Sequence, residues 1–386
     1  MAVRIVRQPN KITLLGAPTS AAAMSPGHEG APAALRVAGI VERLRTIGYE
    51  VHDGGDDPPQ LYQPDEESPR ARNLPRILAA LEALKPRVEL AVKSAALPVI
   101  LSGDCSVALA TVAGARRYFR NVGMIYMDRD ADLNTPATTP SGCVDGMVVS
   151  HLTGRGAAEL VRFWGEPPLV RDPDLALFGV DRLDPAEEEL LRKLPLRSYL
   201  AADVKRKGAT AAAQAAIERI HAGTHDFVLH FDVDVIADFP ATNYPGSGGL
   251  SLEEVRDALM VFAQQKHMAA MEITAYNPTK DPDGSGAKII IDLLAAVLEK
   301  RLETLKAATA AVGAAAVRSE PAPVPDASSV SEQPSNAATE VHTQAAIAPV
   351  PPGEAWSSDT LEDTTEPASA EGHAAEDTHG SEEPHA

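Results

Sequence analysis

The 386-residue chain has only two cysteines, Cys105 and Cys143, and aromatic side chains make up just 4% of it. Two thiols cannot staple a small secreted scaffold, so the disulfide-dense extracellular class is excluded. So few rings leave no stacking platform for single-stranded nucleic acid. Positive charge is also short. The 35 Lys and Arg face 54 Asp and Glu, a net charge of −19, which opposes attraction to a phosphate backbone. No apolar run approaches the roughly 18 residues that a membrane-spanning helix needs. The opening MAVRIVRQPNKITLLG enters a strand-like run with no signal-peptide pattern. Nucleic-acid and membrane partners are therefore not expected. A soluble cytoplasmic protein acting on a small molecule is.

What is present is unevenly spread. From Val317 to Ala386 there are 14 acidic residues against one basic residue, Arg318, so the preceding 316 residues carry an ordinary net −6. Over the same stretch only eight residues are Val, Ile, Leu or Trp. Such a segment cannot bury enough apolar surface to offset its ordering entropy. Residues 311–386 are accordingly expected to form a disordered acidic Ala/Pro/Glu/Ser/Thr-rich tail. Its histidines (His342, His373, His379 and His385) are too scattered for a metal-binding tract, and Trp356 stands alone.

Residues 1–310 alternate. Strand-length apolar runs recur at Ile12–Leu15, Val99–Ser102, Gly123–Met127, Leu175–Val180, Phe227–Phe231 and Ala270–Ile273. Between them lie segments of helical spacing, among them Ala33–Ile47, Arg76–Ala96, Val107–Phe119, Ala209–Ala222, Leu252–Gln264 and Lys288–Ala307. Buried runs separated by helices predict βαβ units, hence an α/β fold with a mostly parallel sheet and helices on both faces. In such sheets ligands sit beyond the carboxyl ends of the strands.

Four strand ends are acidic: Asp104 after the Val99 run, Asp128-Arg129-Asp130-Ala131-Asp132 after Met127, Asp181 and Asp184 after Val180, and Asp232-Val233-Asp234 after Phe231. In an extended segment residues i, i+2 and i+4 share a face. Asp128, Asp130 and Asp132 can then point one way, as can Asp232 and Asp234. Five carboxylates at close quarters do not all stay ionised without a cation, and oxygen donors suit a hard divalent ion such as Mn²⁺ or Mg²⁺. The competing explanation is that aspartates after strands serve as turn and cap residues.

In this order the segments resemble the arginase (ureohydrolase) family. Leu14-Leu15-Gly16-Ala17-Pro18, Gly27, Glu29-Gly30, Pro32 and Leu35-Arg36 are similar to its opening strand, loop and helix. Ser102-Gly103-Asp104-Cys105-Ser106 resembles G-G-D-H-S, Asp128 to Asp132 resembles D-A-H-T-D, and Phe231-Asp232-Val233-Asp234 resembles the S-F-D-V-D segment. Asn134 to Gly142 resembles the amino-acid-binding loop, and Glu272-Ile273 with Asn277-Pro278 resembles D-I-x-E-x-N-P. The resemblance implies a three-layer α/β/α sandwich around an eight-stranded sheet and a homo-oligomer. It also implies two Mn²⁺ ions whose shared water attacks a guanidinium carbon and releases urea. Asp128 and Asp232 would bridge the ions, Asp132 and Asp234 would complete one site each, and Asn134, Ser141 and Asp184 would hold the amino-acid end of a substrate.

The departures fall at the site itself. Cys105 and Asp130 stand where the motifs have His, Asp145 replaces a catalytic His, Cys143 a neighbouring Asn, and Ala275 the Glu that holds the guanidinium. Tyr244 stands where a threonine is expected near the metal-facing turn. Cys105 is either a thiolate ligand or a filler of imidazole space. Asp145 is either a proton relay or the cap of a helix starting near Gly146. Asp130 adds charge that Arg129 could offset by turning inward. His151, six residues past Asp145 on a helix, does not share its face; His230 is expected as a core or supporting group, and His28, in a glycine-rich loop at the sheet edge, is either a binding residue or a plain surface one. Without a carboxylate at 275, arginine is a poor candidate substrate. Three readings follow: a divergent Mn-type hydrolase of a linear C–N bond in a guanidino or amidino amino-acid-like substrate, an inactive binding or scaffold protein, and a metal-dependent amidase or deacetylase. Because the tail buries so little, deleting residues 317–386 should leave the thermal midpoint nearly unchanged; a large drop in a melting experiment would show that the tail is packed.

Overall fold

Eight strands order the chain: β1 Lys11–Ala17, β2 Glu50–Asp56, β3 Leu97–Ser102, β4 Val122–Met127, β5 Leu175–Phe178, β6 Arg197–Tyr199, β7 Asp226–Asp232 and β8 Met268–Thr274. They come from a computed structural model, which describes residue 5 and residues 7–318. Of the tail expected over residues 311–386, residues 311–318 instead continue the helix Ser285–Arg318, and the remainder, with its histidines and Trp356, lies outside the described residues. All eight strands join one parallel sheet in the order β2-β1-β3-β8-β7-β4-β5-β6.

The middle strands carry the apolar runs. Every residue of β3 (LPVILS) and β4 (VGMIYM) is buried, as strands covered on both faces require. Side-chain alternation divides them between two cores. Ile125 and Met127 join a cluster with the helices Ala31–Val37, Ala209–His221, Leu252–Ala263 and Ser285–Arg318. Met124 and Tyr126 join the opposite cluster, with Leu74–Lys93, Ala108–Arg116 and Val148–Leu152. The result is the α/β/α sandwich that the sequence predicts. Among the described residues no helix is long and apolar enough to cross a membrane.

Two strands escape sequence reading because they are edges. β2 (EVHDGGD) is largely exposed and β6 is three residues long, so neither needs an apolar run. The helix expected over Ala33–Ile47 is two helices, Ala31–Val37 and Ile40–Thr46, parted at Gly39, whose φ of 96° is left-handed. The helix expected over Lys288–Ala307 spans Ser285–Arg318.

The strands followed by candidate residues (β3, β8, β7, β4 and β5) are consecutive in the sheet. Sequence-distant segments are thus delivered to one stretch of its carboxyl edge. Close packing there has little slack. A Cβ on Gly103 would lie 1.7 Å from the Thr19 carbonyl oxygen, while the Gly103 carbonyl accepts from the Ala275 N–H at 2.7 Å. Gly103→Ala should therefore destabilise the protein by at least about 1–3 kcal/mol, the usual cost of overpacking, as read by chemical denaturation; an unchanged midpoint would contradict this packing.

Candidate metal centre

Asp104 follows β3 as the N-cap of the short turn Cys105–Val107, accepting from the Ser106 N–H. Its other oxygen accepts from the Thr19 hydroxyl and the Ala22 N–H, each at 3.0 Å. These bonds tie the loop after β1 to the start of the turn and hold Cys105 in place. The Cys105 N–H donates to Asp145 Oδ1 at 2.9 Å. Its thiol donates toward Asp232 Oδ2 at 3.0 Å and lies 3.4 Å from Thr274 Oγ1.

The aspartate pairs converge, though not by strand alternation. β4 ends at Met127 and β7 at Asp232. Asp128 Oδ1 accepts from the Asp130 N–H at 2.7 Å, and Asp232 Oδ1 accepts from the Asp234 N–H at 2.8 Å. Each aspartate thus uses one oxygen to close its own turn and leaves the other for the site, so the capping and site roles coexist. Asp132 departs from the expected shared face. Its φ is 50°, and its carboxylate accepts from the Tyr126 hydroxyl.

Two groups of donor atoms lie within 4.8 Å of one another: Cys105, Asp128, His230 and Asp232, and separately Asp128, Asp130 and Asp234. Asp132 is in neither, although it lines the same cavity. The second group is already cross-linked by Arg182. The Arg182 Nε donates to Asp130 Oδ1 at 2.8 Å, and one terminal nitrogen donates to Asp130 Oδ2 and, at 2.6 Å, to Asp234 Oδ2. Asp234 Oδ1 is buried without a partner. The cation bonded to Asp130 is therefore Arg182 and not Arg129, which sequence reading places on the opposite side of the strand unless it turns inward; Arg129 is buried and its side chain turns to Asp181 at 3.6 Å. Arg182 is the residue sequence reasoning passed over. Its signal was a lone basic residue in an acidic strand-end segment on the strand beside β4.

His230 is fully buried in β7. Its Nδ1 lies 2.7 Å from Glu272 Oε1 on β8, and its ring stacks on Tyr126 with centroids 4.1 Å apart. His151 is a core group, with Nδ1 on the Met147 carbonyl at 2.7 Å and Nε2 accepting from the Ala157 N–H at 3.0 Å. His28 corrects the surface expectation: it is fully buried, with neither ring nitrogen bonded.

A cavity of about 950 Å³ joins Cys105, Asp128, Asp130, Asp132, Asp232 and Asp234 with Asn134, Ser141, Asp184, Asp145 and Tyr244. The Asn134 amide donates to Asp184 Oδ2 at 2.8 Å. Asp184 also caps the helix Pro185–Lys193 in a capping box with Glu187. Asp145 is not the cap of its turn, whose N-cap is Val144. Instead its Oδ2 meets the Tyr244 hydroxyl at 3.5 Å.

The sequence profile described as "Arginase family" matches residues 10–299. Arginase from Bacillus subtilis (strain 168) is 30% identical over 297 residues, covering 75% of this chain and 98% of that protein. Arginase from Bacillus caldovelox is 29% identical over 297 residues, covering 75% and 99%. The solved native structure of the Bacillus caldovelox arginase superposes with a TM-score of 0.69 at 28% identity, covering 75% of this chain and 98% of that one.

Burial dominates the electrostatics. Burial, then the neighbouring carboxylate of Asp104, pushes Asp145 up to about 7. Burial and Asp234 push Asp130 up to about 6 despite Arg182, and burial lifts Asp232 to about 6. Burial and like charge raise Asp128, Asp132 and Asp234 as well. These groups hold protons in the folded state that the unfolded chain, with an ordinary Asp near 3.9, releases. For Asp130, Asp145 and Asp232 that contribution to stability is therefore full below about pH 4 and is lost as pH rises through about 6 to 7. In chelator, stability should fall across that window, and Asp232→Asn should gain on the parent as pH rises. Thermal midpoints at several pH values check this; a gap that narrows with pH would contradict it.

Proposed function

The chain belongs to the arginase family, and from that membership we propose a metal-dependent hydrolase that cleaves a linear C–N bond in a guanidino- or amidino-bearing, amino-acid-like substrate. The observation that carries the reading is a convergence. Candidate cation donors share one cavity with Asn134, Ser141 and Asp184, the residues the family resemblance gives to the amino-acid end of a substrate.

The grouping of Cys105, Asp128, His230 and Asp232 fits a cation, since its donor atoms are buried and lie within 4.8 Å of one another. When bound there, a divalent ion supplies Lewis acidity and a water acidified toward neutrality. Mn²⁺ is the ion implied by family resemblance, and Mg²⁺ also suits the carboxylates. The grouping of Asp128, Asp130 and Asp234 does not accept a second ion in the same way, because Arg182 donates to both Asp130 and Asp234.

The chain's own residues do the rest. Asn134, with its amide fixed by Asp184 and its carbonyl accepting from the Thr138 hydroxyl at 2.9 Å, presents a preorganised edge to the substrate. Ser141 lines the same wall. Asp145 is the proton-carrying group of this proposal: the Cys105 N–H fixes one oxygen and the other faces Tyr244 within the cavity. Ala275 supplies no carboxylate and is itself buried. A free arginine guanidinium therefore loses its usual anchor, which moves specificity away from arginine. Cytoplasmic location and a homo-oligomer belong to the same proposal.

The Arg182 ion pairs favour one second reading, a family member that binds a ligand without turning it over. Release of urea from arginine, agmatine, guanidinobutyrate and guanidinoacetate, and of hydroxyurea from N-hydroxyarginine, separates the two. Turnover of one of the non-arginine compounds is expected; silence across the panel with metal bound selects the binding protein, and amine release without urea selects the amidase chemistry. Asp128→Asn and Asp232→Asn should each abolish metal binding, measured by ion content after desalting, and retained stoichiometry in both would defeat the site assignment.

A further inference from the structure

The two donor groupings differ in chemical kind. The outer one contains carboxylates and already has a cation. A guanidinium keeps its proton under all ordinary conditions, and its planar fork matches a carboxylate in the bidentate geometry that Arg182 and Asp130 adopt. A divalent ion on the same oxygens would add two positive charges beside that fixed one, so the two occupants exclude each other. The sequence change is matched in charge. Asp130 replaces a neutral imidazole of the family motif, and Arg182 neutralises the charge that this replacement introduces.

The inner grouping offers a thiol, an imidazole and two carboxylates. The Glu272 carboxylate on His230 Nδ1 fixes the tautomer in which Nδ1 carries the proton. Stacking on Tyr126 fixes the ring plane. The remaining nitrogen, Nε2, meets only the Thr274 hydroxyl, at a long 3.4 Å. That hydroxyl also touches Asp232 Oδ2 and the Cys105 sulfur, and a ring nitrogen of His230 lies within 4.8 Å of the Cys105 sulfur and of carboxylate oxygens of Asp128 and Asp232. A carboxylate-held imidazole beside a thiol and two carboxylates is a four-donor set of the kind that holds Zn²⁺; an all-oxygen cage would favour Mn²⁺ or Mg²⁺.

We infer that the chain holds a single zinc-class ion on Cys105, Asp128, His230 and Asp232, with the Arg182 guanidinium serving as a built-in second cation. Binding forms a sulfur–metal bond and releases the thiol proton to solvent. The inference rests on the hydrolase reading only for its purpose, and its tests do not read turnover.

The full-length chain is stripped with chelator, reloaded separately with Zn²⁺, Co²⁺ or Mn²⁺, desalted and analysed for metal. About one Zn²⁺ or Co²⁺ per chain is expected, with Mn²⁺ largely lost. The cobalt protein should show a near-ultraviolet thiolate-to-metal charge-transfer band that Cys105→Ser removes. Glu272→Gln should weaken zinc binding about 10–100-fold, as loss of an orienting partner does. Arg182→Met should admit a second ion. Two ions per parent chain, no charge-transfer band in the parent, or one ion still in Arg182→Met would overturn the inference. The parent's count and spectrum decide it even where a variant fails to fold. One zinc-class ion without turnover of any guanidino compound would sink the hydrolase reading and leave this one standing; turnover with two Mn²⁺ ions would do the reverse.

Discussion

Asp128, Asp130, Asp132, Asp145, Asp232 and Asp234 meet in one cavity at the carboxyl edge of the sheet, and all but Asp130 are buried. Removing an ionised carboxylate from water costs several kcal/mol even after the protein relaxes, and their mutual repulsion adds to that. Protonation, a guanidinium and a divalent ion are the three ways to balance such a cluster, and the structure provides for each. Raised carboxyl pKa values mark the first, Arg182 is the second, and the grouping around Cys105 and His230 is fitted for the third.

The fold makes this concentration mechanically affordable. The aspartates leave consecutive strands of a parallel sheet whose two faces are sealed by helices, so the backbone beneath them is held by apolar packing rather than by the site. Local turns then aim them. Asp104, Asp128 and Asp232 each bind a backbone N–H two residues ahead, which locks the carboxylate before any ligand arrives. Such preorganisation lowers the entropy cost of binding.

Relative to the family pattern, the changes form a connected set. Losing imidazoles at 105 and 130 removes two neutral nitrogen donors. In the inferred zinc-class site a buried imidazole at 230, held by Glu272, takes the place of one of them from a different strand. Arg182 answers the charge at Asp130. Each change makes electrostatic sense only in the company of the others.

The sheet and its cores were legible in the linear chain because covered strands must be continuous apolar runs and their helices amphipathic; those rules act within a dozen residues. Edge strands β2 and β6 were not, since a half-exposed edge imposes no such pattern. The acidic strand ends could be read as a meeting point of charge only through the rule that parallel strands share one functional edge. That His28 is buried, that Asp145 faces Cys105 and that Arg182 bridges Asp130 and Asp234 depended on neighbours 40 to 52 residues away or on packing across layers. Local chemistry set the elements and placed the carboxylates at their ends. The partners that decide what those carboxylates do are brought in by the strand order, which no short window of sequence encodes.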